Sequence, residues 1–595
     1  MKDDIKQSAC CDIRQKYLEE IERARDHWRE NVVDKRVARF NLEESPTGFY
    51  TPASLPGHDF LEKVGFPGQY PYTAGNSPFE YWRAMAGLAA KTNYRPDWGG
   101  AGKVGKYGGF GTAEDYRDYL RRMHSMGRMG GPNIAFDLAT QCGYDSDDSR
   151  AEGEVGRVGV AVDSFADFET IYEPYVGDLE MDKVSSNFTI NAPCSVILAM
   201  YYALAKKRGV DPANLTGTPQ NDILKEFIAR GTHIFPPSHS LRLFRDSVAF
   251  MREKMPKVNI CSLGGYHIRE AGATREQDLA FSMANAAAYV QVCLDAGLAV
   301  DDFAPMITFN AFGGSMELYH EVAFQRAARR FYARMMKERF GATSRRSMII
   351  RQPITAHIGC SSTTLQRPLN NWVRATVGGV AAGMSGGVPG VFPPWDEPLG
   401  LGHSQEAVQM QMDASRILIY ESGITEVCDP WAGSYFMESL TDRIEEDAWA
   451  EFDKIEQMGG SVAAIENGYM PKAVAKSAYE KQKQIEAQEK FQVGVNCFTG
   501  DMELDVRINR AVEATYDPAQ MATAENRQVE KLRKLRAERH GDRVTAALDK
   551  LRANATDESR NLMPDMVECV EAYCTLQEIC DVLRDVFGEA APIKI

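Results

Sequence analysis

Between about residue 113 and residue 440 the chain alternates short apolar runs with longer helical patterns, and few folds accommodate that alternation. The apolar runs are PNIAFDLAT (132–140), KVSSNFTIN (183–191), VNICSLGGYH (258–267), FAPMITFNAF (303–312), RSMIIRQPIT (346–355) and VAAGMSGGV (380–388). Each has the look of a buried strand. Between them lie helical stretches such as SVILAMYYALAKKRG, SLRLFRDSVAFMREKM, QDLAFSMANAAAYVQVCLDAG and ELYHEVAFQRAARRFYARMMKERFG. Strand–helix alternation means parallel βαβ units, because a parallel neighbour needs a crossover. About eight such units in roughly 330 residues fit a (β/α)8 barrel. A doubly wound open sheet is the rival, but no G-x-G-x-x-G opens a helix after a strand. The expected fold is α/β: a (β/α)8 TIM barrel over 113–440, with an N-terminal extended arm and a C-terminal helical region.

The flanks read differently. Residues 1–45 are charged and helix-prone, and 46–112 are rich in Gly, Pro and aromatics (FPGQYPYTAGNSPFEYW, DWGGAGKVGKYGGFGT). So many aromatics argue for an irregular arm (1–112) ordered by wrapping a partner subunit or the main domain, against a flexible linker. Residues 441–595 form a helical region and tail. Within the tail, EKLRKLRAERHGDRVTAALDKLRANA has weak apolar periodicity and reads as a solvated helix. The following stretch carries Val567, Val570, Tyr573, Leu576 and Ile579 at helical spacing and is expected to dock.

Composition excludes several partners. A net charge of −15 with no basic stripe argues against nucleic acid. No run of about 18 apolar residues suggests a membrane span, and MKDDIKQSAC lacks a signal peptide's apolar core. The twelve cysteines show no C-x-x-C and no zinc spacing with histidine. No metal ligand set is expected, and a reducing cytoplasm fits.

Strand ends are where a parallel α/β protein does chemistry. SLGGYHIREAG (262–272) puts Tyr266-His267 at such an end, where His267 is either a functional hydrogen-bond donor or a satisfied core histidine. TGTPQNDILKEFIARGTHIFPP (216–237) holds Gln220 near a helix start and Arg230 near its end. Arg230 reads as a helix C-cap, or as a bidentate grip on a carboxylate. Tyr107, followed by Gly108-Gly109, has glycines that permit close approach. The three acids of QCGYDSDDSR suit a metal or, more simply, helix caps. No nucleophile elbow, P-loop or H-E-x-x-H occurs. A barrel with few titrating groups at its mouth suits chemistry carried by a cofactor.

The stretches FPGQYPYTAG, YGGFGTAED, AFDLATQCGYDSD, LTGTPQNDILKEFIARGTHIFPP, GGYHIREAGAT, RAARRFYARMMKERFGA, DPWAGSYFMESLT and MGGSVAAIENGY carry a resemblance from about 60 to 585. The chain resembles the large, catalytic subunit of the coenzyme B12-dependent methylmalonyl-CoA mutase family. The resemblance implies a barrel threaded by the acyl-CoA chain and capped by a cobalamin-binding domain. None of the ten histidines sits in that domain's D-x-H-x-x-G signature. The chain therefore resembles the split form, in which a separate small cobalamin-binding subunit ligates cobalt, as a heterotetramer of two large and two small subunits. By the same resemblance, Tyr107 stands beside the substrate and the deoxyadenosyl radical. His267 hydrogen-bonds the thioester carbonyl and Arg230 pairs with a free carboxylate. Thr218 and Gln220, with Tyr266, Thr308 and Asn310, belong to substrate binding. Phe136, Val158, Ala229, Glu270, Glu397 and Gly400 fall where the family touches adenosylcobalamin. The implied mechanism is Co–C homolysis, hydrogen abstraction and migration of the CO-SCoA group. Relatives acting on isobutyryl- or 2-hydroxyisobutyryl-CoA replace the tyrosine and the arginine.

The departures concern the substrate. The family's arginine after A-P is Met306 here, a phenylalanine position is Asn310, and R-x-H-x-Q becomes RQPITAHIG. An apolar, Pro-rich GVPGVFPP (387–394), with Phe392 and Trp395 nearby, replaces a polar loop. These changes lead to the expectation of an alkyl- or aryl-substituted malonyl/succinyl-CoA rather than methylmalonyl-CoA itself. The alternatives are a non-catalytic paralogue that partners a cobalamin protein, and a barrel enzyme without cobalamin.

Overall fold

The structure, a computed structural model, describes residues 15–27, 29–35, 38, 50–55, 57–76, 104–125, 130–310, 312–351, 357–359, 361–387, 389–391, 393–399, 404–424, 426–500 and 518–592. Four parallel strands stand side by side in chain order: β1 (Val104–Gly108), β2 (Gly131–Ala135), β3 (Ser185–Thr189) and β4 (Thr216–Pro219). A parallel bridge between Gly217 and Val258, and a bond from Ser262 N to Gln220 O at 2.8 Å, attach β5 (Cys261–Leu263) to β4. β6 (Ile307–Phe309) pairs in parallel with β5, and Phe309 N donates to Arg351 O at 2.8 Å. β7 (Gly313–Gly314) and β8 (His357–Ile358) form a further parallel pair. Along this run of described strands the order never reverses, whereas a doubly wound sheet has a reversal at its switch point.

Helices fill the crossovers: Ala113–Ser125 after β1, Cys194–Arg208 after β3, Pro237–Lys254 after β4, Arg275–Asp295 after β5 and Leu318–Arg334 after β7. Cys194–Arg208 and Arg275–Asp295 are apolar almost all round, because each is covered on both sides. Strands lie under them, and the helices Met563–Glu571 and Tyr435–Gln457 lie over them. One apolar cluster runs from Tyr72 to Phe587. Buried ion pairs fasten the outer layer, with Arg326 meeting Glu438 at 2.7 Å and Asp429 at 3.0 Å.

One stretch of the arm, residues 57–76, is docked. Val64 is fully buried, and Arg329 donates to Tyr72 O at 3.0 Å and to Thr73 O at 2.7 Å.

Four expectations need correction. RSMIIRQPIT (346–355) opens inside the short helix Arg345–Met348 and not as a strand, and 352–355 lie outside the described residues. VAAGMSGGV is not a strand: its first half ends the helix Asn370–Met384. Close packing explains Gly383 in this run and Gly379 just before it: a Cβ on Gly383 would meet Ile424 at 2.9 Å and one on Gly379 would meet Leu418 at 2.9 Å. β1 and β4 (VGKYG and TGTP) are strands that no apolar run announced, and β1 lies inside the segment read as an arm. Finally, the first half of the tail is not a solvated helix. It is two helices, Pro518–Glu538 and Gly541–Ala555, that bury Gln528, Leu532 and Leu551. The docking of the first is largely polar, so the apolar period is weak. Lys531 meets Asp167 at 2.8 Å, and Arg536 meets Asp145 at 2.7 Å and Asp147 at 2.6 Å. The acidic loop 145–148 thus pins the tail, and Asp148 also caps its own turn.

Candidate active site

The two faces of the parallel strands differ. On β2–β4 the positions Ile134, Phe188 and Pro219 are buried, while Asn133, Asn187 and Thr218 between them are partly exposed. Those three polar residues stand in register, Asn133 opposite Asn187 and Asn187 opposite Thr218. Beyond them, Asn259 Nδ2 donates to Thr218 Oγ1 at 2.7 Å, and Arg351 donates to Asn259 Oδ1 at 3.2 Å. An ordinary (β/α)8 interior is filled by bulky branched side chains. This face carries Asn, Asn, Thr, Asn and Arg, and it stays accessible. Tyr107 pairs with Asn133 in the same row through its backbone; its side chain lies outside the described residues.

At the end of β4 the row opens into a buried polar network. Asn221, in the left-handed region at φ 48°, turns the chain sharply after Gln220. Lys225 and Glu226 follow, both wholly buried and 2.5 Å apart. Residues Glu226–Arg230 wind as a π-turn, in which Gly231 N reaches back to Glu226 O at 2.7 Å. Gly231, at φ 80°, ends it directly after Arg230. Arg230 lies 3.6 Å from Glu226 Oε1 and 3.4 Å from Gln141 Oε1, and its side chain keeps 27% exposure. Asn191 donates to Gln220 Oε1 at 2.8 Å and to Glu226 Oε1 at 2.6 Å, while Lys225 donates to Gln220 Oε1 at 3.3 Å. The Gln220 carbonyl oxygen is therefore taken up, and its NH2 is the group left for a ligand. Burial works to raise the Glu226 pKa, but the Lys225 and Arg230 cations outweigh it and hold the carboxyl below the usual range.

His267 joins from the next strand end. Asp222 accepts from Gly264 N at 2.8 Å and from Tyr289 OH at 2.9 Å, fixing the turn after β5. A Cβ on Gly264 would lie 3.1 Å from His267 Nδ1 and 3.4 Å from Lys225 Cε, so the imidazole and the buried lysine share one contact. The rings of Tyr266 and His267 lie 3.9 Å apart. Arg230, Gln220 and His267 are thus brought together. Thr308 spends its hydroxyl on Cys261 O at 2.8 Å within the strands, and Asn310 N donates to Leu263 O at 2.7 Å just beyond them.

The residues expected at the cofactor lie on several separate elements. Phe136 ends β2 and is fully buried, and Gln141 Nε2 donates to its carbonyl at 2.6 Å, tying it to Arg230. Val158 is 47% exposed, next to Gly159, whose Cβ would strike the Phe136 backbone. Ala229 adjoins Arg230 on the π-turn. Glu270 accepts from Ser361 N at 2.8 Å and Ser361 Oγ at 3.0 Å. Glu397 opens a short turn beside buried Trp395 and Asp396. Gly400 and Phe392 lie outside the described residues. Asn191, Lys225, Glu226 and Gln141 were not singled out from sequence. The available signal was a Lys-Glu pair set between Ile223-Leu224 and Phe227-Ile228, an apolar run with no reason to hold two charges.

Fold and site together define an α/β protein whose candidate groups, Gln220, Arg230 and His267, lie beyond the C-terminal ends of parallel strands. Residues 43–589 match the methylmalonyl-CoA mutase family. The large subunit of 2-hydroxyisobutanoyl-CoA mutase from Aquincola tertiaricarbonis is 37% identical over 89% of this chain and 88% of its own length. The methylmalonyl-CoA mutase of Escherichia coli is 35% identical over 94% of this chain and 73% of its own. The human mitochondrial enzyme is 35% identical over 88% and 65%. The chain belongs to the methylmalonyl-CoA mutase family.

Proposed function

We propose that the chain is the large subunit of an adenosylcobalamin-dependent isomerase that rearranges the carbon skeleton of a carboxylated acyl-CoA. Arg230 carries this reading. It is a half-buried guanidinium at a strand-end centre, set beside Gln220 and His267 with donors to spare, and a bidentate carboxylate is its natural ligand. His267 donates to the thioester carbonyl, and the Gln220 NH2 meets a neighbouring acceptor. We place the acyl-CoA chain along the Asn133–Asn187–Thr218–Asn259 row, inside a closed (β/α)8 barrel. The sequential parallel strands and the accessible polar face support that placement.

The residues assigned to the cofactor suit a large group with apolar faces and a polar rim: Val158 is an exposed apolar side chain, and Glu270 and Glu397 are carboxylates. When bound, adenosylcobalamin supplies the radical that starts the migration. The protein's own part is to orient the two ends of the substrate and exclude water. The cobalt ligand is assigned to a separate small cobalamin-binding subunit, in a two-plus-two heterotetramer. One relative is itself named a large subunit. The nine cysteines among the described residues are all free, in keeping with a reducing cytoplasm. The substrate is assigned as a substituted malonyl/succinyl-CoA bulkier than methylmalonyl-CoA, on the departures at Met306, Asn310 and residues 387–394.

The test is to mix the chain with a small cobalamin-binding subunit and measure adenosylcobalamin-dependent isomerisation. Larger substituted analogues should turn over faster than methylmalonyl-CoA. Equal or faster turnover of methylmalonyl-CoA would remove the bulky-substrate assignment, and no cobalamin-dependent turnover of any carboxylated ester would remove the activity.

A further inference from the structure

We propose that Glu226, braced by Lys225, is a positioning residue that presets Arg230 and Gln220 for the carboxylated end of the substrate. The inference rests on the reading of Arg230 given above. Glu226 is wholly buried and its carboxylate is fully engaged. Oε1 takes Lys225 Nζ at 2.5 Å and Asn191 Nδ2 at 2.6 Å, with Arg230 at 3.6 Å, and Oε2 takes the Thr232 hydroxyl.

The unequal distances matter. Lys225 meets the carboxylate closely, whereas Arg230 is held by a long ion pair and one 3.4 Å bond to Gln141. Arg230 is therefore oriented without being saturated, and its remaining N–H groups stay free for a second carboxylate. Without Lys225, the buried anion would draw Arg230 inward and compete with the substrate. Without Glu226, no other carboxylate among the described residues pairs with the guanidinium. The same Oε1 holds Asn191, which in turn holds Gln220 Oε1 at 2.8 Å, so one carboxylate sets two substrate contacts.

A Lys–Glu pair kept only for folding is replaceable by apolar residues of similar volume. A positioning pair is not, because the replacement alters what the site recognises. Succinyl-CoA and butyryl-CoA differ by the terminal carboxylate, so the ratio of their dissociation constants reads this role. Calorimetric titration of the full chain should show that Arg230→Ala lowers the preference for succinyl-CoA. Glu226→Gln should lower it by roughly tenfold, the scale of one charge-assisted hydrogen bond. Butyryl-CoA affinity should hold within about twofold, below half a kcal/mol. Adding Glu226→Gln to Arg230→Ala should lower the preference no further. Should Glu226→Gln not fold, Lys225→Met with Glu226→Leu removes both charges together, and the same fall is expected. The proposal is overturned if both Glu226 variants keep the wild-type preference while Arg230→Ala loses it, or if they weaken both esters equally. If Arg230→Ala itself keeps the preference, the carboxylate reading of Arg230 is what fails.

Discussion

Replacing Asn187 by leucine tests whether the strands enclose a passage or a packed core. Asn187 stands mid-row between Asn133 and Thr218, is partly exposed, and makes no side-chain hydrogen bond among the described residues. Leucine adds the volume of roughly two methylene groups; in a close-packed interior such overpacking costs about 1–3 kcal/mol. In an open polar passage the side chain meets no wall and no hydrogen bond is lost, so the stability change should stay within about 0.5 kcal/mol. The same leucine narrows the route of the acyl-CoA chain and should weaken CoA-ester binding by at least about tenfold, or ~1.4 kcal/mol. Urea-unfolding midpoints read the first quantity and calorimetric titration with succinyl-CoA reads the second. A midpoint loss worth more than about 2 kcal/mol with unchanged affinity is the signature of a filled core. It would refute both the passage and the route assigned to the substrate.

Three further outcomes follow from the same geometry. His267→Ala should cut kcat of the reconstituted enzyme by roughly a hundredfold, the scale of losing a donor to a developing oxyanion, with CoA-ester affinity much less changed. An unchanged kcat would remove His267 from the thioester. Arg326→Met leaves Glu438 and Asp429 buried without their cation and should cost about 3–5 kcal/mol by urea denaturation, most of it recovered when Glu438→Gln and Asp429→Asn are added. No recovery would mean that packing, not charge, fastens the outer helix. Burial lifts the Asp278 carboxyl to about 7, against the opposing pull of Arg269. A folded-state pKa above the unfolded value of 3.8 means that ionisation costs stability as pH rises between about 4 and 7. Asp278→Asn should flatten urea midpoints across that window, and an unchanged slope would show that the carboxyl is already ionised at its low end.

The crossovers were legible because helices such as Arg275–Asp295 are long, apolar and capped by a Thr274/Gln277 box. β1 and β4 were not. A strand buried on both faces reads as an apolar run, but VGKYG and TGTP are short and made mostly of small or polar residues, and TGTP turns Thr218 toward the accessible row. The misread at 380–388 has a packing cause: Gly383 sits in a helix because it lets Ile424 come close. The tail was read as solvated because its first helix docks through Lys531, Arg536 and Gln528. Polar docking leaves no period of 3.6 for a sequence reading to find.

The site divides in a similar way. Arg230 had two readings, a helix terminus or a carboxylate grip; the structure shows the first and leaves the guanidinium partly exposed, as the second needs. The residue does end a helical turn, but that turn is a π-turn whose first residue, Glu226, holds its own last side chain. An ordinary α-turn would also place residues four apart on one face; it would not require the first of them to be a wholly buried anion. The cost of that burial is offset here by Lys225, Asn191 and Thr232, none of which a ligand needs to touch. Groups that meet substrate are recognisable in sequence by comparison with a family. Groups that aim them are recognisable only once the chain is folded, because their evidence is a set of distances to partners from different strands. The preference for succinyl-CoA over butyryl-CoA should therefore depend on Glu226 nearly as much as on Arg230, although only Arg230 has donors left to meet the ligand.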